Sequence, residues 1–129
     1  MKKILYLMAI SLGMASCADI GSAMFFGGDG DYDFSNDNLD AAYQIDESKI
    51  HLFTVPSDED TIHGLFLGDF SQLESDTIIY YLHGNGPSMD GFWSTVAVLA
   101  NLGQQHRYGV VMYDYRGYGK STGSTHNAA

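Results

Sequence analysis

The sequence predicts an α/β fold, and three observations carry the prediction. Thr77-Ile78-Ile79-Tyr80-Tyr81-Leu82 is a short run of β-branched and aromatic residues with the length and composition of a strand. It stops at His83-Gly84-Asn85-Gly86-Pro87, where glycines and a proline neither extend a strand nor fill a helix. A second apolar run, Gly109-Val110-Val111-Met112-Tyr113, ends in another glycine-rich loop, Asp114 to Gly123. Between the two runs, Phe92, Val96, Leu99 and Leu102 recur at helical spacing. Strand, helix and strand joined by short loops form a βαβ unit, with parallel strands and a right-handed crossover.

The chain has 129 residues, enough for one small domain, and a formal net charge of -10. All of its 16 acidic residues except Asp90 and Asp114 lie between positions 19 and 76, where Lys49 is the one base. Such an acidic chain does not seek phosphate backbones, so nucleic acid is excluded as a partner.

Residues 1–16 read as a secretory signal. Lys2 and Lys3 form a basic end, Ile4 to Leu12 an apolar stretch too short to span a bilayer, and Met14-Ala15-Ser16 place small residues before Cys17. This end resembles a bacterial lipobox, with Met14 where leucine is usual. The resemblance implies a lipid on Cys17 and anchoring to a bacterial membrane, the outer one favoured because Ala18 follows the cysteine. Cys17 is the single cysteine, so no intrachain disulfide forms.

Residues 17–46 read as an acidic, Gly/Asp-rich tether with no sustained period, and hence no fixed structure. Asp29, Asp31 and Asp33 have the alternate spacing of a calcium loop. However, its sixth position is Phe34 rather than glycine and its twelfth Asp40 rather than glutamate, which favours a solvated spacer.

The folded part runs over residues 47–129. Lys49 to Val55 and Ile62 to Leu67 read as two strands joined by the turn cluster Pro56 to Asp60, an antiparallel hairpin with Ile50, Leu52 and Thr54 on one face of the first strand. His51 and His63 lie on these strands without a third ligand at metal-binding spacing, so they read as packing or surface residues, and no metal is expected. The helix is expected from about Gly91 to Leu102, with Asp90 capping its start, Trp93 widening its apolar face and Gly103 stopping it.

"LHGNG" behind one strand and "DYRGYGKSTG" behind the next resemble the α/β-hydrolase fold in its serine-hydrolase branch, over about residues 50 to 123. The resemblance implies the amino-terminal part of a hydrolase sheet, an opening hairpin plus one βαβ unit, and a small-molecule ester or amide substrate without a cofactor. It implies that the Asn85 backbone amide belongs to the oxyanion hole. His83, Gly84, Gly86, Asp114, Arg116, Gly117 and Gly119 become loop-shaping residues, with Asp114 and Arg116 bracing their loop. Backbone N–H donors aimed at a developing oxyanion are what acyl transfer requires, and a glycine loop past a strand can present them.

Gly119-Lys120-Ser121-Thr122-Gly123 is a literal G-x-S-x-G, but a nucleophile elbow sits directly between a strand and a helix. Ser121 lies several residues past its strand, with six residues after Gly123. The family's order of serine, acid and histidine therefore places all three beyond this sequence, and His126 is too close to Ser121 in sequence to serve it. The expectation is the front of a lipid-anchored hydrolase, a truncated or degenerate product lacking its own triad. The alternative is a non-catalytic lipoprotein binding module. A dinucleotide site is disfavoured, because no G-x-G-x-x-G follows Leu82.

Overall fold

The computed structural model describes residues 31–102 and 108–124. Four strands make one mixed sheet: β1 (Ile50–Ser57), β2 (Asp60–Leu67), β3 (Thr77–Tyr81) and β4 (Tyr108–Tyr113), in the order β1-β2-β4-β3. β1 and β2 form the expected antiparallel hairpin, from Ile50 opposite Leu67 to Ser57 opposite Asp60. The turn shrinks to Asp58 and Glu59, and Asp58 takes φ 57 to close it. β3 and β4 pair in parallel, Ile79 beside Val110 and Tyr81 beside Met112, as the βαβ reading requires. β4 also pairs antiparallel with β2, Leu65 facing Met112. The fold is α/β, with a hairpin leading into one βαβ unit.

One face of the sheet carries the core. Leu65, Leu67, Val110 and Met112 are buried there against Met89, Trp93, Val96, Ala97 and Ala100 of the connecting helix. Full burial of a side chain of this size contributes about 1.5–3 kcal/mol, so this layer holds the unit together. The helix differs from its expected span. A 3-10 turn, Met89–Phe92, leads into α1 (Trp93–Ala100), and Leu102 is exposed beyond it. Asp90 lies within the turn rather than at a cap. Its carboxylate accepts hydrogen bonds from Ser88 Oγ at 2.6 Å and from the Asp33 N–H at 3.4 Å. Gly103 lies outside the described residues. The buried stripe runs through Met89, Trp93, Val96 and Ala100, shifted from the Phe92–Leu102 line because the preceding turn is wound more tightly.

Ile50 and Leu52 point to the core face, opposite Leu67 and Leu65, and Ile50 packs against the core. Leu52 is nonetheless 57% exposed, because β1 lies at the edge of the sheet. On the opposite face the Phe53 ring lies over Gly64, its partner in the ladder, where a Cβ would collide with it. On that face Phe66 is buried beneath Phe70 of the 3-10 turn Phe70–Gln72 and His51, whereas Val55, Ile78, Tyr80 and Leu82 are all more than a third exposed.

The largest departure concerns the segment expected as a tether. Ile45 is buried in the core cluster, and Tyr32, Phe34 and Leu39 pack against it. Trp93 Nε1 donates to the Ser35 carbonyl at 2.6 Å, and Asn36 grips Ile45 through both its backbone N–H and C=O. Residues 32–46 therefore form an arm belonging to the fold. Its apolar residues follow no regular period because the arm has one short 3-10 turn, Ala41–Tyr43, and otherwise runs extended and irregular. Asp31 pairs with Lys120 at 2.8 Å, and Asp33 accepts from the Ser35 N–H at 3.0 Å, so these two carboxylates serve the arm. Among the described residues no three of His, Cys, Asp and Glu are grouped to hold a metal ion. No described helix is long and apolar enough to cross a membrane.

Candidate functional site

The site lies where the two parallel strands end. In α/β sheets the crevice beyond the carboxyl ends of the strands is where ligands bind. Here the loop after β3 and the loop after β4 face each other across a cleft of about 480 Å³, lined by His83, Gly84, Asn85, Tyr113, Tyr115 and Tyr118 among others. Both glycine motifs of the sequence therefore meet in one place.

Asp114 is the hub beneath the cleft. Its side chain is fully buried, and three segments reach it. Oδ1 accepts the Met89 N–H at 2.8 Å, Oδ2 accepts the Tyr32 hydroxyl at 2.8 Å, and His83 Nε2 stands 3.2 Å from Oδ1. The His83 contact is close but lacks hydrogen-bond alignment. The backbone of Asp114 is tied as well: its N–H donates to the His63 carbonyl and its carbonyl accepts from Ser121 Oγ.

His83 is buried beside Asp114 within an aromatic cage of Phe92, Tyr115 and Tyr118, whose ring centroids lie 5.3, 4.6 and 5.6 Å away. Its Nδ1 lies 2.9 Å from the Gly84 carbonyl. Burial works against its charged form, but Asp114 and the Gly84 and Tyr113 carbonyls outweigh burial and raise its pKa above the ordinary value of 6.5. The Tyr32 hydroxyl is pushed up, first by burial and then by Asp114, against the lowering effect of the Lys120 N–H it accepts.

Tyrosine hydroxyls fasten the upper loop to the lower one. Tyr115 donates to the His83 carbonyl at 2.8 Å, and Tyr118 donates to Asn85 Oδ1 at 2.7 Å. Asn85 and Gly84 are exposed at the cleft, and Gly86 has φ 155. Arg116 turns away from Asp114 and toward the hairpin. Its guanidinium donates to the Ser57 carbonyl, Ser57 Oγ and Asp58, and lies 3.4 Å from Asp60. Gly117 has φ 76 and donates to the Thr122 carbonyl at 3.3 Å. Gly119 has φ 51, and a Cβ there would run into Asp114 Oδ2 and the Tyr32 hydroxyl, so glycine alone suits the position.

Ser121, the serine of the literal G-x-S-x-G, is 6% exposed. Its Oγ donates to the Asp114 carbonyl at 2.8 Å and accepts the His63 N–H at 2.9 Å. The first bond closes the loop on its own start, the second ties it to β2, and together they turn the hydroxyl inward. Cys17 and His126 lie outside the described residues. Reading the sequence missed Tyr32, Tyr115 and Tyr118 as members of the site. The two later tyrosines stand inside the quoted motif, while Tyr32 carries no local signal.

No protein-family model matches the chain, and no curated protein matches it. Solved structures similar to it include a membrane phospholipase A described as a bacterial virulence factor, at 17% identity and TM-score 0.48 over 100% of this chain and 36% of that one. A variant of aCif is similar at 20% identity and TM-score 0.45, over 64% of this chain and 22% of that one. A hydrolase from Agrobacterium vitis is similar at 24% identity and TM-score 0.40, over 59% and 28%. The chain thus spans about a fifth to about a third of the length of these structures.

Proposed function

We propose that this chain is the amino-terminal part of an exported, lipid-anchored α/β-hydrolase of the serine type, acting on a small-molecule ester or amide. The observation that supports this most is the meeting of the His83-Gly84-Asn85-Gly86 loop with the Asp114–Gly123 loop across one cleft, at the carboxyl end of a parallel pair. In this reading the Asn85 backbone amide is one oxyanion-hole donor. The glycine loop after β4 is its support, and the nucleophile, acid and base come from outside these residues. Cys17 carries the lipid.

The burial and double hydrogen bonding of Ser121 favour a second reading, a lipoprotein module that binds in the cleft without turning its ligand over. A fluorophosphonate probe tests both. The present chain is expected to stay unlabelled, and labelling abolished by Ser121→Ala would overturn the assignment of that serine. If appending a strand-G-x-S-x-G-helix segment encoded just downstream restores labelling at the new serine, the hydrolase reading stands. Its absence downstream, in any frame, supports the binding module.

A further inference from the structure

The two ring nitrogens of His83 face oxygens that can only accept. Nδ1 is 2.9 Å from the Gly84 carbonyl, which has no proton to give, so Nδ1 is the donor. Nε2 is 3.2 Å from Asp114 Oδ1. That carboxylate already accepts the Met89 N–H on one oxygen and the Tyr32 hydroxyl on the other, as an ionised group does. A bare nitrogen lone pair held against it inside the protein would repel, whereas an N–H would not. Both nitrogens thus carry protons, and the ring is an imidazolium buried against a carboxylate.

A trans peptide points its C=O and its N–H in opposite directions. The carbonyl held by His83 belongs to the peptide that joins Gly84 to Asn85, so fixing that carbonyl on the buried side turns the Asn85 N–H the other way, toward the cleft. Gly84 offers no side-chain resistance to the alternative orientation, and no heavy atom lies within 4 Å of where its Cβ would be. The His83 ring holds the carbonyl end of this peptide plane, while the Tyr118 hydroxyl holds the Asn85 side chain.

We propose that His83 is the positioning residue of the Asn85 amide, and that protonation of its ring, maintained by Asp114, switches that peptide between a held and a released orientation. The proposal rests on the oxyanion-hole reading for its consequence in catalysis but not for the switch itself. The groups facing the ring are Asp114, Tyr115 and Tyr118 from the loop after β4, with Phe92 packed from the helical turn. Tyr32 of the arm and the Met89 N–H act on it through Asp114. Asp114 is the one acid among them, so it is the group that holds the proton. The increase in the His83 pKa, burial being outweighed by Asp114 and two carbonyls, agrees with this arrangement.

Nuclear magnetic resonance of the isotopically labelled full chain, titrated from about pH 5 to about pH 10, tests the switch without substrate. Both His83 ring nitrogens are expected to be protonated at neutral pH. As the ring loses the Nδ1 proton to solvent, the remaining one staying on Nε2 against Asp114, the Gly84 carbonyl carbon and the Asn85 amide nitrogen are expected to shift with the same midpoint. Asp114→Asn is expected to lower that midpoint by about one pH unit or more, roughly tenfold in proton affinity. His83→Gln keeps a donor for the carbonyl and is expected to abolish the pH response at Asn85. A neutral ring at pH 7, or an Asn85 amide indifferent to the His83 titration, overturns the proposal, and the wild-type titration decides this even if a variant does not fold. A coupled titration in a chain that proves inactive when completed would sink the hydrolase reading alone.

Discussion

Tyr32 and Asp114, 82 positions apart in the chain, are joined by a 2.8 Å hydrogen bond at the centre of the fold. The bond ties the amino-terminal arm to the buried hub that also receives the connecting helix and the loop after β3. The Tyr32 hydroxyl accepts the Lys120 N–H as well, so one side chain fastens both the hub and the second glycine loop.

Tyr32→Phe removes a donor from a buried carboxylate and is expected to destabilise by about 1.5–3 kcal/mol. Asp114→Ala leaves the Met89 N–H, the Tyr32 hydroxyl and the His83 ring without their partner and is expected to cost about 3 kcal/mol or more. Urea unfolding of each variant beside the wild type measures both. Equal, negligible losses would show that the arm is not fastened at this point.

Stability is expected to depend on pH through His83. Its pKa in the folded chain is raised, chiefly because Asp114 overcomes the opposing effect of burial. The stabilisation is therefore full below the unfolded value of 6.5 and is lost as pH rises through the higher folded value. Denaturation midpoints measured from mildly acidic to mildly alkaline buffer should fall across that window, and His83→Gln should flatten the dependence. A midpoint that rises with pH there would contradict the charged pair.

On the proposed lipid anchor, Cys17→Ala is expected to release the chain from membranes, since residues 1–16 and Cys17 resemble a lipoprotein signal. Fractionation of cells expressing the wild type and the variant checks this. A variant that still sediments with the membrane would remove the lipid from the account.

The apolar residues left exposed on the sheet set the fourth expectation. Ile78, Tyr80 and Leu82 are 39, 58 and 54% exposed on β3 and just past its end, and β3 lies at the sheet edge. An apolar face beside an unpaired strand edge invites association, and a small chain has little stability to spare. Residues 17–129 alone should bind hydrophobic dyes or self-associate and melt without a sharp transition. A monomer with a cooperative melt and protected amides at Val110 and Val111 would show a self-sufficient module.

The sequence by itself determined the strands, the hairpin, the parallel pair and the two glycine loops. Each is written in a local pattern: a β-branched run, a turn cluster, a glycine pair after a strand. The positions around the cleft followed from this, because short loops after adjacent parallel strands have nowhere else to meet. The alternation within Ile50 to Val55 marked the core face of β1, and tertiary structure alone decided that burial stops at Ile50 and leaves Leu52 exposed at the sheet edge. It also decided that Tyr32 to Ile45 belongs to the core, because those apolar residues follow the surface they cover and not a period of their own. The role of Asp114 is of the same kind. A buried carboxylate must find donors, and its donors came from Tyr32 and Met89, with the His83 ring beside them, segments that only the folded chain brings together.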